Sequence, residues 1–223
     1  MQSPSPSPVH PTPPEPGHVS ELSDTDLAQC IADGTVTEAR IGSDQLLGSD
    51  LTGCTLASCQ FEQARLQGAR PLDTVFVNCA FQQCDFANAA LTRGVIRQSQ
   101  FATCRLTGLS MGEATLADVT FDQCQLNLGS LRFAQLTRVR FFDCVLIDTD
   151  FTSAQLTDCV FEHCDLIVVE FTNVMCIWVD IAGCTLDDVK GIAGLRGSRF
   201  PWNELLGLAP QFAGALGIGA IPE

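Results

Sequence analysis

Large apolar side chains recur at every fifth residue from Ile41 to Leu186 without a slip in frame. Of these thirty positions, ten are Phe and fourteen are Leu; the others are Ile41, Pro71, Ile96, Met111, Cys176 and Ile181. Two residues before each stands a second series of Ala, Cys, Gly, Ser, Thr or Val, broken only by Asp44 and Leu109. The remaining three positions of each unit are mostly Asp, Thr, Gln, Asn, Arg and Ser. A period of five matches neither a helix at 3.6 nor a strand at 2. A fixed short period over about 150 residues predicts a solenoid instead. The unit small–x–large–x–x predicts a short extended stretch and then a corner, with two residues inward and three forming a solvated wall.

A period of twenty is nested in the period of five. Phe61, Phe81, Phe101, Phe121, Phe141 and Phe161 are twenty apart, and so are Cys84, Cys104, Cys124, Cys144, Cys164 and Cys184. Four units per turn predict a four-faced coil in which like residues stack. With coils rising ~4.8 Å each, seven to eight of them make a rod of roughly 35 Å, close to one turn of a DNA duplex at ~34 Å. The units Ala154-Gln155-Leu156, Cys164-Asp165-Leu166 and Ala89-Ala90-Leu91 resemble the A(D/N)Lxx repeat of the pentapeptide-repeat proteins. The resemblance covers residues 39 to about 190 and implies an all-β fold, a right-handed quadrilateral β-helix. Asp44, Pro71, Leu109 and Cys176 depart from the pattern and predict local irregularity without a loop insertion.

Four segments follow: a proline-rich tail over 1–20, a cap over 21–38, the repeat over 39–190 and a C-terminal segment over 191–223. Seven prolines in the first twenty residues read as a disordered or polyproline-like leader. Ser23 reads as a helix N-cap with Asp26 three residues on, Leu22 and Leu27 as a hydrophobic staple, and Gly34 as the stop. Pro201 is expected to open a C-terminal helix at its first position, Pro210 to restart it, and Gly217 to end it. Caps of this kind are what a solenoid with bare apolar ends requires.

The charge is uneven along the rod. From Ile41 to Arg140 eight acids balance eight arginines, whereas no Lys or Arg stands between Phe141 and Leu186. The acids of that half are Asp143, Asp148, Asp150, Asp158, Glu162, Asp165, Glu170 and Asp180, with Asp187 and Asp188 just beyond, all in outward slots. The resemblance extends here to fluoroquinolone-resistance members of the family, and to their loop-free mycobacterial type, since no loop interrupts the repeat. It implies a duplex mimic that occupies the DNA-binding saddle of DNA gyrase or another type II topoisomerase and inhibits the enzyme or protects it from drugs. Leu216-Gly217-Ile218 is similar to the run that follows the C-terminal helix of those members. This implies a two-fold dimer, for which Trp202, Leu205, Leu206, Phe212, Leu216, Ile218 and Ile221 supply the apolar residues. The alternative is a non-catalytic scaffold with some other protein partner, its acids serving solubility.

Composition narrows the remaining classes. A net charge of -14 disfavours nucleic acid and anionic membranes and favours a basic protein surface. No stretch is long and apolar enough to span a membrane, and no leader pattern is visible, so a cytoplasmic location is expected. Ten of the twelve cysteines occupy the small inward series, as reduced apolar filler would. A zinc site at Cys159 and Cys164 with His163 is the weighed alternative; it lacks four converging ligands. With no Tyr, and with two of the three His in the proline tail, no nucleophile–base pair or phosphate loop is visible. No cofactor and no catalysis are expected. Ile167, Val168, Met175, Ile177 and Trp178 are outward apolar residues near the C-terminal end, expected to lie beneath the tail or a second subunit.

Overall fold

The computed structural model describes residues 19–47 and 49–219. Within them the chain winds as a parallel β-solenoid whose register is set by the twenty-residue period. Phe61 lies against Phe81, Phe81 against Phe101, Phe101 against Phe121, Phe121 against Phe141 and Phe141 against Phe161. Each coil has four faces, centred on the columns that contain Phe61, Leu66, Pro71 and Phe76. We call them the first to fourth.

The ladder on the first face stacks ten strands, from Ser20–Glu21 to Ser198–Arg199. Nine intervals of ~4.8 Å give a rod of ~43 Å, longer than the roughly 35 Å expected from the repeat alone. The added length comes from the ends, whose backbone joins the ladder although their side chains have left the five-residue pattern.

Corners are made by backbone, not by loops. Every fifth residue from Gly53 to Asp188, two after each large apolar residue, has a positive φ of the left-handed region. Only four of these corners are Gly (Gly53, Gly68, Gly108 and Gly183); the others include Asn78, Asn88, Asp73 and Asp118, the residue types that tolerate this conformation best after Gly.

The axis is filled by stacked side chains. Phenylalanine rings on the first face lie nearly parallel, with centroids 4.4 Å apart for Phe61–Phe81 and Phe81–Phe101, and 4.9, 5.0 and 4.8 Å apart down to Phe161. Phe76, Phe86 and Phe151 meet this stack edge-on, a geometry that aligns positive ring edges with negative faces. The small inward position has a second task. Cys84, Cys104, Cys124, Cys144 and Cys164 each donate a thiol hydrogen to the carbonyl of the Phe one coil back, at 3.4–3.5 Å. Thr74 and Thr149 make the same bond with a hydroxyl, to Leu51 and Leu126 at 2.7 and 3.0 Å.

All twelve cysteines are free thiols, and nine are buried. Burial pushes the Cys159 thiol up to about 12 and that of Cys176 up to about 11, so both are protonated at neutral pH. Titration of the native protein with a thiol reagent should therefore modify at most the half-buried Cys30, Cys176 and Cys184, and titration in denaturant all twelve. Rapid modification of more than three in the native state would contradict this packing.

The departures from the repeat behave differently from one another. At Asp44 the coil opens: its carboxylate turns out to meet Arg65 at 3.2 Å. Leu109 causes no irregularity. It is buried in register, because its neighbours in the same column are Ala89 and Gly129, which leave room for the longer side chain. Pro71 is also buried in place.

At the N-terminal end, α1 (Asp24–Ala32) closes the first coil. Ser23 caps it by accepting from the Asp26 N–H at 3.2 Å, and Leu27 is buried on the core, with Leu22 packed alongside. At the other end a short 3-10 turn, Ile192–Leu195, leads to α2, Trp202–Ala215. Pro201 is the residue before α2 rather than its first turn, and Pro210 lies inside one continuous helix instead of restarting it. The missing Pro210 N–H leaves its would-be acceptor, at the exposed Leu206, on the solvent side. Gly217, with φ 72°, ends α2 in a Schellman motif: Ile218 N–H donates to Ala213 O at 2.9 Å and Gly217 N–H to Gly214 O at 3.0 Å. Glu204 ties α2 to the rod by accepting from the Gly183 N–H with both carboxylate oxygens at 3.1 Å, where the next coil would have supplied a carbonyl.

Candidate interaction surface

The interior is full, so any function resides on the wall. Among the described residues no group of three or more His, Cys, Asp or Glu converges as a metal site would need. His163 faces solvent 3.9 Å from Glu162, while the Cys159 and Cys164 thiols are engaged with backbone carbonyls.

In the N-terminal half, acids and arginines are stitched together between adjacent coils. Arg65 meets Asp44, Arg93 meets Asp73, Arg105 meets Asp85 and Arg138 meets Asp118, at 2.6–3.2 Å. The partners are twenty or twenty-one residues apart, so this spacing is the sequence signal that identifies them. Arg138 grips Asp118 with two parallel bonds, 2.6 and 2.8 Å, which holds the Asp118 carboxyl below its usual range despite opposing desolvation. A depressed native pKa adds stability above the unfolded value of ~3.9 that is lost as pH falls through the native one. The urea midpoint of Asp118→Asn should thus lie below that of the native chain at pH 7 and converge with it as pH falls through the depressed native value of Asp118. A gap that persists in acid would place the effect elsewhere.

Three of the ten acids assigned to the anionic half are also neutralised, by arginines that lie outside the cation-free stretch. Asp150 meets Arg132 at 2.8 Å, Glu162 meets Arg140 at 2.7 Å and Asp180 meets Arg199 at 2.5 Å. Burial raises the Asp150 carboxyl, but bonds from Thr152 and Arg132 outweigh it and leave the group below its usual range. Asp143, Asp148, Asp158, Asp165, Glu170, Asp187 and Asp188 make no ion pair with a described residue. They are not evenly spread. Asp148, Asp165, Asp187 and Asp188 share the second face, whereas Asp143 lies at the edge of the first, Glu170 on the third and Asp158 at the edge of the fourth. On the second face no Lys or Arg follows Arg105.

The expected dimer residues divide by environment. Trp202, Leu206, Leu216 and Ile218 are exposed on or just beyond α2, Trp202 at 72% and Leu216 at 75%. Leu205 and Phe212 are half-buried instead, because the inner side of α2 covers the last coil; Phe212 packs edge-on against Phe200. Ile221 lies outside the described residues. Met175 and Ile177, expected beneath the tail or a second subunit, are more than half exposed: the chain's own α2 does not reach them. Trp178 is half-buried, with Arg199 over its ring at 5.8 Å. Leu128 and Phe133, exposed at 61% and 55%, escape a reading confined to the C-terminal end. Their signal in the sequence is a bulky apolar residue at a corner.

These features define a closed, side-chain-filled parallel solenoid with its chemistry on the outside. Residues 74–141 match the model of a pentapeptide repeat region, and residues 45–70, 134–173 and 144–188 match that of pentapeptide repeats in eight copies. The chain belongs to the pentapeptide-repeat proteins. No curated protein matches it in sequence. Among solved structures it is similar to a trypsin-treated variant of QnrB1, a plasmid-mediated fluoroquinolone resistance protein, at 18% identity and a TM-score of 0.40, over 84% of this chain and 97% of that one. It is similar also to HetL, a pentapeptide-repeat protein involved in heterocyst differentiation regulation in the cyanobacterium Nostoc, at 14% identity and a TM-score of 0.34, over 78% and 93%. A third is a thylakoid-lumen pentapeptide-repeat protein of Arabidopsis thaliana, at 19% identity and 0.40, over 41% and 64%.

Proposed function

We propose that this protein binds a type II topoisomerase, DNA gyrase first among them, by presenting the anionic C-terminal half of its rod where the enzyme receives duplex DNA. The observation that carries this reading is the seven acids of that half that make no ion pair with a described residue, against a stitched, near-neutral N-terminal half. A narrow rod with outward carboxylates offers a basic saddle the shape and charge of a duplex segment. The exposed apolar residues of α2 support pairing of two chains end to end, which sets the two anionic halves together at the centre of a longer rod. In this reading the protein is cytoplasmic and non-catalytic, and it acts by occupying or protecting the enzyme.

The purified protein, titrated into gyrase supercoiling and drug-induced cleavage assays at two salt concentrations, tests the proposal. Salt-sensitive inhibition, or rescue from the drug, is expected; no effect of micromolar protein would overturn it. The exposed Leu128, Phe133, Met175 and Ile177 favour a second reading, a protein-interaction scaffold, because a pure charge mimic has no use for them.

A further inference from the structure

The corners of the rod carry information beyond charge. From Gly53 to Gln123 the fifteen left-handed corner positions hold no large apolar residue; from Leu128 to Asp188, four of thirteen do: Leu128, Phe133, Val168 and Trp178. Leucine, and above all β-branched valine, is ill suited to this conformation, which costs an ordinary L-residue roughly 1–2 kcal/mol and favours Asn, Asp or Gly. Trp178 and Phe133 have arginines over their rings. Leu128 and Val168 have no such partner, and they stand on one edge of the rod, at the boundary of the second and third faces.

Along that edge the corner residues are Leu128, Asp148, Val168 and Asp188, one per coil. Ile147 and Ile167 lie beside them on the second face, with Asp165 and Asp187. The edge therefore alternates apolar and anionic side chains and has no cation from Leu128 to Asp188. It ends at a cleft of about 440 Å³ where Asp187 and Asp188 face Gln211 and Ala215 of α2. Two coils rise ~9.6 Å, so this separates Leu128 from Val168 and Asp148 from Asp188. Seven residues of an α-helix rise ~10.5 Å. A helix laid along the edge would bring apolar residues seven apart onto Leu128 and Val168, and lysines or arginines three or four residues after each of them onto Asp148 and Asp188.

We propose that this edge is a docking surface for a cationic amphipathic helix of a partner protein. The inference rests on the reading of the acidic half as the binding surface, and deepens it: the partner is recognised by an apolar seam as well as by charge, which a DNA duplex could not provide.

The test uses the full chain and two labelled synthetic peptides of equal charge and length. One has lysine and leucine at amphipathic helical spacing; in the other, serine replaces every leucine. Fluorescence anisotropy at low and physiological ionic strength reads their affinities. The lysine–leucine peptide should bind about tenfold or more tightly than the lysine–serine peptide, as desolvating one or two leucines implies. In the double variant Leu128→Asn, Val168→Asn that preference should vanish while the melting temperature holds or rises, since Asn suits the left-handed corner. Equal affinity of the two peptides for the native chain, absence of binding by either, or a preference undiminished in the variant would each overturn the inference. A native preference for the leucine peptide together with no effect on gyrase would leave this surface standing and remove the topoisomerase reading; gyrase inhibition without a peptide preference would do the reverse.

Discussion

Replacing Phe121 with alanine should destabilise the rod by about 3–5 kcal/mol, the range for deleting a large aromatic side chain from a core that cannot collapse. Phe121 is fully buried and sits mid-stack, 4.9 Å from the Phe101 ring and 5.0 Å from the Phe141 ring. The cavity cannot close, because each neighbouring ring is held by a strand fixed in register to the coils above and below it. A solenoid couples each coil only to its neighbours, so the loss is concentrated at one junction. Urea unfolding followed by circular dichroism should show a lower midpoint and a broader or two-step transition, as the halves on either side of coil 121–140 lose their connection. The equivalent change at Leu186, half-buried near the C-terminal end, should cost less and leave the transition single. A loss below about 1 kcal/mol at Phe121 would mean that the stacked column is not what holds the coils in register.

This contrast between middle and end also explains what could be read from the sequence. The column of Phe61 to Phe161 and the cysteine column appear directly as a period of twenty, because interior packing constrains residue type at every coil. Corners are less constrained. A left-handed φ at Gly53 or Asn88 is foreshadowed by residue type, but at Leu128 or Val168 residue type argues the other way, and only the unbroken period places them there. The last coil was hidden for a different reason. Gly191, Gly194 and Gly197 let the backbone lie against Thr172, Phe171 and Cys176 so closely that a side chain would collide. The ladder thus continues to Arg199 after the large apolar residues have stopped. Pro210 misled because a proline break is avoided when the exposed side of a helix can leave one carbonyl to water. The charge of the candidate surface was readable as an acid count, but not its neutralisation by Arg132, Arg140 and Arg199, which depends on which coils lie together.

That neutralisation decides which acids to change. Reversing Glu162 would place a lysine against Arg140 and disturb the fold. Asp143, Asp148, Asp158 and Asp165 make no ion pair with a described residue, and all face outward. Converting these four to lysine moves the net charge from -14 to about -6, with the change confined to the C-terminal half. If each reversal costs a partner-facing charge roughly 0.5–1 kcal/mol, the four together weaken binding by about 30- to 1,000-fold, and inhibition of gyrase supercoiling should be lost at protein concentrations where the native chain inhibits fully. Because Asp143, Asp148 and Asp158 occupy left-handed corners, where Asp is favoured over Lys, the four asparagine replacements serve as the companion variant. They remove the charge, keep the corner, and should give an intermediate loss with an unchanged melting temperature. Glu38→Lys with Glu113→Lys, also at corners but in the near-neutral half, should have little effect. Full inhibition by the lysine variant, with its circular dichroism spectrum intact, would show that the acids of this half serve solubility and that the partner is held elsewhere.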